Sequence, residues 1–250
     1  MIFDSNIRIN KKNYDLSLKN LRSKKKIYGI KNAVCLLCSQ NKNYNIKEFT
    51  KTLKKFEEFV PAVELKKTVS LNTLKNLSDN KVKLVKIHPR HINVHISQTK
   101  YYLELTKKIK KFNFIIMWCT LDSWYNKISK SNEQLDLLAK IINNNKKNKF
   151  LLMHGGGPDL LKFYEKFRFN ENVYLDLSYT IYHYKKTSLE EDIIFLFNKF
   201  DKRLITGTDF PDINFKEYYK NLTRLILKSR VSKKKINNIL FNNLKKILFK

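Results

Sequence analysis

Four short stretches of the chain carry side chains that could do chemistry together. Lys86 and His88 close the apolar run Val85-Lys-Ile-His-Pro89 and stand two residues apart. On an extended strand that spacing puts both on one face, an ammonium and an imidazole aimed the same way. His154 ends Leu151-Leu-Met-His154 and is followed by Gly155, Gly156 and Gly157. Asp209 lies in Gly207-Thr-Asp-Phe-Pro211, and Arg8 in Asp4-Ser-Asn-Ile-Arg8. An aspartate and a histidine can serve as base and acid without any metal, and fixed cations can hold an anionic substrate or a developing oxyanion. His154 and Asp209 are therefore the candidate catalytic residues. Arg8, Lys86 and His88 are the candidate substrate-binding residues. Each has a plainer reading: Arg8 as a salt bridge to Asp4, Glu64 or Asp209, and the Lys86/His88 pair as support for neighbouring carboxylates.

Weaker signals accompany these. His88, His91 and His95 form an H-x2-H-x3-H run, but no cysteine or carboxylate follows at a matching zinc spacing. Cys35 and Cys38 form a C-x-x-C inside an apolar run. Residues three apart on a strand face opposite ways, so these read as buried structural thiols rather than a metal pair. The three glycines could bring backbone N–H groups to a carboxylate or phosphate ahead of a helix starting at Pro158, with Asp159 supporting its cap. His183 sits among Tyr179, Tyr182 and Tyr184, a cluster that fits either a lid over a substrate or simple packing.

What must position these residues is an alternation of strands and helices. Short β-rich apolar runs fall at 1–9, 32–39, 59–65, 82–88, 113–120, 149–154, 172–178 and 203–209. Between them lie lysine-faced stretches with helical apolar spacing, at 46–59, 98–112, 131–146, 158–168, 188–200 and 215–230, with shorter ones at 15–24 and 71–78. Ile46, Phe49, Leu53 and Phe56 share one such stripe. A last stripe, Ile236, Ile239, Leu240, Leu244 and Leu248, predicts a C-terminal helix. Eight strand–helix units in 250 residues predict an α/β fold, a (β/α)8 TIM barrel with a C-terminal helix, spanning 1–250 as one domain. An open doubly wound sheet would want a glycine-rich first turn, which Asp4 to Asn10 lacks. In a barrel the chemistry belongs at the carboxyl ends of the strands, and the ionisable residues above, with Glu64, Asp176 and Ser178, all fall there. Burying such groups unpaired would gain the fold nothing.

These residues carry a resemblance. His88-Pro89 after a Val-Lys-Ile strand, His154-Gly-Gly-Gly157 and Gly207-Thr-Asp209-Phe-Pro211, in that order, resemble the amidohydrolase-related family, which includes aminocarboxymuconate-semialdehyde decarboxylase-like enzymes. The Asn237-to-Leu248 tail is similar to the family's closing helix. The resemblance implies a divalent metal, usually zinc, held by a His-x-His after strand one, a histidine after strand five and an aspartate after strand eight. A histidine after strand six would assist acid–base chemistry. By position Asp209 is the strand-eight aspartate and His154 the strand-six histidine. The sequence departs from the pattern elsewhere. The His-x-His position reads Asn6-Ile7-Arg8, and strand five offers Trp118, or Cys119 if the alignment slips by one. Arginine is permanently cationic and cannot ligate, so a degraded metal site is expected, with no cofactor and Asp209 a metal ligand only if a residual site exists.

Composition limits the partners. Lys and Arg number 51 against 22 Asp and Glu, a formal charge of +29, which invites a phosphate polymer. Yet 44 of those cations are lysines, spread over every segment beside 28 asparagines, the bias AT-rich codons give. No nucleic-acid motif is present, so that reading ranks last. A 42% hydrophobic fraction excludes a disordered polycation. No run is long enough for a membrane span, the first residues lack a signal-peptide apolar core, and three cysteines make no disulfide framework. A cytoplasmic protein is expected. The leading expectation is an amidohydrolase-like hydrolase or decarboxylase for a small anionic substrate. The alternative is an inactive relative kept as a binding module; an Arg8–Asp209 ion pair with no open pocket between them would defeat the enzymatic reading.

Overall fold

The computed structural model describes residues 1–9, 13–41, 44–121 and 131–249. Eight parallel strands follow one another around the sheet in chain order. They are β1 (Ile2–Ile9), β2 (Ile30–Leu37), β3 (Phe59–Glu64), β4 (Leu84–Ile87), β5 (Ile115–Cys119), β6 (Phe150–Met153), β7 (Val173–Asp176) and β8 (Leu204–Ile205). The sheet closes on itself beyond the short β8. Ser5 N–H donates to the Thr206 carbonyl at 3.2 Å, and Arg8 N–H to the Phe210 carbonyl at 2.7 Å. The fold is the TIM barrel that the strand–helix alternation predicts.

The helices are α1 (Tyr14–Ile27), α2 (Ile46–Leu53), α3 (Leu71–Asp79), α4 (Thr99–Ile109), α5 (Ser131–Asn144), α6 (Leu160–Phe167), α7 (Thr180–His183), α8 (Leu189–Lys199) and α9 (Phe215–Ser229). Asn13, Asn45, Ser70 and Asn214 begin four of them by accepting a hydrogen bond from an otherwise orphaned backbone N–H. Three boundaries differ from the periodicity. α1 is a full helix rather than a short one. α2 stops at Leu53, and Phe56 reaches the core from the turn that follows. α6 starts at Leu160 because the three glycines and Pro158 form a separate 3-10 stretch.

Strand alternation sorts the apolar residues into two layers. Ile7, Cys35, Val63, Val85, Ile116, Trp118 and Leu152 pack outward against the helices. Phe3, Val34, Leu36, Ala62, Leu84, Met117, Leu151 and Ile205 fill the lower barrel interior. That interior is plugged from below by the chain's end: α10 (Lys233–Asn237), a π turn (Asn238–Asn242) and α11 (Asn243–Phe249). Phe241, Leu244 and Leu248 enter the plug, with the Phe241 ring 5.9 Å from that of Phe3. Asn243 fixes the plug in register by donating to the carbonyls of Asp201 and Leu204 at 2.6 and 2.8 Å. No helix among the described residues is long and apolar enough to cross a membrane.

Candidate active site

Above the apolar layers the barrel interior turns polar. The alternation that points Leu84 inward points Lys86 and His88 inward too, and from neighbouring strands come Cys38, Glu64, Cys119, Asp176 and Ser178. Strand five thus turns Cys119, not Trp118, toward the mouth. Trp118 packs outward, 5.1 Å from the Tyr102 ring.

Asp209 is the junction of the site. Its Oδ1 accepts from Asn6 Nδ2 at 2.7 Å and lies 3.5 Å from Arg8 Nε, while Oδ2 makes no hydrogen bond with a described residue. The Arg8 guanidinium is shared: its Nη2 pairs closely with Asp212 and lies 3.5 Å from the Asp209 carbonyl. Burial works against its charge, and the two aspartates outweigh that and raise its pKa. Arg8 therefore bridges two acids at the rim. Asp212 was not among the sequence candidates; its only local signal is a second aspartate three residues on.

The position of Asp209 depends on a staple lower down. Asp4 Oδ1 accepts from the backbone N–H of Asn6 and Thr208, at 3.1 and 3.0 Å, and Oδ2 from the Tyr219 hydroxyl at 3.1 Å. Complete burial pushes the Asp4 pKa up to about 7, against the pull of these hydrogen bonds. Gly207 permits the close approach, since a Cβ there would sit 2.3 Å from Ser5 Oγ. Across the interior, Asp176 accepts from the hydroxyls of Ser5 and Ser178, and burial lifts its pKa to about 6.

His154 is held by a hydrogen bond of 2.8 Å between Nδ1 and the Ser178 carbonyl. A carbonyl only accepts, so Nδ1 carries the proton and Nε2 of the neutral ring carries the lone pair. Burial, aided by the Lys86 charge and opposed by Asp209, lowers the His154 pKa to about 4. Near neutral pH the ring is thus a proton acceptor at Nε2, not the acid that its place in the sequence suggests. The Tyr179 ring stands edge-on to it at 5.9 Å, and Tyr179 hydroxyl lies 2.9 Å from His183 Nδ1. His154, Tyr179 and Asp209 all adopt left-handed backbone, with φ of 66°, 69° and 58°. Such conformations cost about 1 kcal/mol or more, least for His and Asp, and cluster where function requires a side chain to be re-aimed.

Lys86 is 2% exposed and makes no hydrogen bond or ion pair among the described residues. Burial works to lower its pKa, but the negative field of Cys119, Asp209 and Glu64 raises it overall. Burial pushes the Cys119 thiol itself up, so the two carboxylates carry that field and Lys86 stays an ammonium. Glu64 is in turn fixed by His91 Nδ1 at 2.8 Å and by Ser39 N–H at 3.2 Å. Burial would raise its pKa, and the hydrogen bond to His91 with the charge of Lys86 brings it below the ordinary value. His88 stacks on His91 with centroids 3.6 Å apart, and burial beside Lys86, His91 and Arg90 drives its pKa well down. A neutral His88 supplies no positive charge, which corrects its role as an electrostatic clamp. Its Nδ1, Asn6 Oδ1 and Glu64 Oε2 are buried with no hydrogen-bond partner among the described residues.

Three sequence signals resolve differently. His88 and His91 stack face to face, His91 Nδ1 is engaged by Glu64 and His95 Nδ1 by Ser97, so the three histidines of H-x2-H-x3-H form no shared ligand set. The three glycines do not cradle an anion: all are buried, and Gly156 N–H donates to Thr120 Oγ1 at 2.8 Å. Gly156 has φ of 93°, and a Cβ there would lie 2.2 Å from Phe163, so close packing fixes its identity. Asp159 makes no cap hydrogen bond and pairs instead with Lys162 at 2.8 Å.

The described donors do not fit the expected zinc. Arg8 places a guanidinium against Asp209 where a dication would stand, and Asp209 Oδ1 is already engaged. Among the described residues no group of three or more His, Cys, Asp or Glu side chains could hold an ion.

Searches for a matching family model and for a similar curated protein find nothing. Solved structures do match in fold. An uncharacterised TIM-barrel protein from Bordetella bronchiseptica aligns with a TM-score of 0.78 at 15% identity, over 99% of this chain and 98% of that one. A probable 2-pyrone-4,6-dicarboxylic acid hydrolase from Acinetobacter baumannii with citric acid bound gives 0.75 at 13%, over 99% and 98%. An amidohydrolase from Burkholderia multivorans with bound zinc gives 0.68 at 11%, over 99% of both chains. At these identities the likeness is one of fold: this chain has the barrel of amidohydrolase-type structures over its whole length.

Proposed function

We propose that the protein is a hydrolase of the amidohydrolase fold that acts on a small, carboxylate-bearing ester or lactone without a resident metal. The observation that carries this reading is a set of free reactive atoms at one barrel end: Asp209 Oδ2, His154 Nε2 and the Lys86 ammonium, none hydrogen-bonded to a described residue. The Lys86 ammonium faces the substrate as the cation with no ion pair among the described residues, while Arg8, shared by Asp209 and Asp212, holds Asp209 in place. Asp209 Oδ2 takes a proton from water as the water oxygen attacks the substrate carbonyl, with Nε2 of His154 accepting the second water hydrogen as a hydrogen bond. The Lys86 ammonium stabilises the oxyanion. When the intermediate collapses, the carbonyl–oxygen single bond breaks and the proton held by Asp209 passes to the departing alkoxide. We propose citrate, which the Acinetobacter structure binds, as a non-hydrolysable probe of this chain's mouth, on the reading that the substrate carries more than one carboxylate.

The Arg8–Asp209 pair favours the second reading, an inactive barrel that binds a small anion. The pair engages Oδ1 and leaves Oδ2 without a hydrogen bond, so it restrains the base rather than consuming it. The discriminating experiment is acid release from a panel of di- and tricarboxylate esters and lactones in the presence of a chelator. Turnover that falls by about 10²- to 10⁴-fold in Asp209→Asn supports the hydrolase. Ligand protection with no turnover supports the binding module, and release of carbon dioxide would make the enzyme a decarboxylase.

A further inference from the structure

The opposite end of the barrel carries a second cavity. It encloses about 680 Å3 at the amino ends of β4 to β8 and is lined by Lys83, Lys147, Lys149, Lys202, Arg203 and Lys246, with Glu171 as the one acidic lining residue. The topology gathers these cations. Lys83, Lys149 and Arg203 each stand one residue before an even-numbered strand, β4, β6 and β8, while Lys246 comes from the plug. Two of the six are structural. Lys83 Nζ donates to the Leu248 carbonyl at 2.6 Å, and Arg203 donates to the Asn170 carbonyl at 2.6 Å. The side chains of Lys147, Lys149, Lys202 and Lys246 make no hydrogen bond or ion pair with a described residue, and Glu171 forms no ion pair with any of them. Elsewhere carboxylates do take up basic neighbours, as Glu58 does Arg22 and Lys25, and Asp136 does Lys166.

We infer that this basal cavity is a binding site for an oligophosphate anion, separate from the mouth. Lys147, Lys202 and Lys246 are exposed and Lys149 half-buried around this concavity, with no ion pair to a described residue, so an anion of several charges gains more there than a single carboxylate does. Lysine suits phosphate as a point charge, and the cavity falls within the size range of small-ligand sites. The cations come from the segments before three strands and from the C-terminal plug and line one cavity, and Phe114 and Tyr174 in its wall are buried, leaving no exposed stacking platform among the lining residues. Both features favour a compact ligand over a nucleic-acid strand.

The test is calorimetric titration with inorganic triphosphate at low and moderate salt. The wild-type protein should bind one triphosphate per chain, more weakly as salt rises. Lys149→Gln/Lys202→Gln should weaken binding at least about tenfold, two charge contacts being lost near the surface. Lys47→Gln/Lys51→Gln, on the exposed face of α2, removes the same charge elsewhere and should change nothing. Circular dichroism and melting of each variant confirm folding, and Lys147→Gln/Lys246→Gln provides a second pair from the same cavity. Absence of binding, or equal weakening by the α2 pair, overturns the site. So does tighter binding of a uridylate 20-mer that both pairs weaken equally, which would assign the charge to nucleic acid.

Discussion

The two halves of the barrel interior are built from opposite materials. The lower half is closed by Phe3, Leu36, Leu84, Met117 and the Phe241 plug, all apolar. The upper half buries Asp176, Glu64, Lys86, His154 and Asp209 at 7% exposure or less. Both halves belong to the same eight strands, so the geometry of the fold does not demand polar residues above. Hydrophobic packing of similar volume would hold the upper half as well or better, because ions are costly to bury even when paired. The lower half is therefore the part that stabilises the barrel, and the polar upper half is the part on which the proposed binding and catalysis rest.

That contrast breaks first at the plug. Phe241→Ala should destabilise by about 3 to 5 kcal/mol through the cavity it leaves, read as a lower denaturation midpoint, while citrate still protects whatever remains folded. Next is Gly156→Ala, which forces a Cβ into Phe163 at a left-handed position and should cost about 2 to 3 kcal/mol. Lys86→Met should do the reverse of Phe241→Ala. Glu64 and Asp209 keep other partners, so stability should move by no more than about 1 kcal/mol, with protection by citrate lost. A large loss of stability in Lys86→Met would mean that the upper half is structural after all.

The smallest effect is a pH slope. With the folded Asp4 pKa at about 7 and the unfolded one near 3.8, the folded state holds the extra proton in between. Stability from this group is present in acid and is lost as pH rises toward 7. His154 at about 4 runs the other way, its neutral burial opposing stability as pH falls below 6.5, and Asp176 at about 6 acts with Asp4. Between pH 6.5 and 7 Asp4 contributes most, with a residual contribution of the same sign from Asp176 and an opposing one from His154, whose unfolded imidazole is still partly protonated. Asp4 by itself should add about −0.9 kcal/mol per pH unit there, read as the difference in slope between the wild type and Asp4→Asn, which imitates the protonated acid toward Tyr219 and cannot titrate.

Much of this was legible in the chain because strand alternation has a period of two. Once Val85 and Ile87 are outward, Lys86 and His88 must face in, and the same parity places Asp176 with Ser178. Strand five was ambiguous between Trp118 and Cys119 because five apolar residues in a row give no alternation to read. The Asp4 staple, the Glu64–His91 pair and the Arg8–Asp212 bridge join residues brought together by the closed sheet, and no local spacing encodes them. Protonation was equally hidden: burial and the Lys86 charge decide that His154 and His88 are neutral, and neither is visible from residue type. The glycine run shows the converse error, a motif read as a ligand seat whose identity is set by Phe163 and Leu160 packing onto it.

In the proposed reaction Lys86, with Arg8 fixing Asp209, provides at the mouth the positive charge that a metal would otherwise supply. Elemental analysis of the purified protein for zinc, manganese and iron, on wild type and Asp209→Ala side by side, tests it most directly. Metal should lie far below one equivalent in both, with citrate protection of the wild type unaffected by chelator. One equivalent of metal in the wild type that disappears in Asp209→Ala would contradict it.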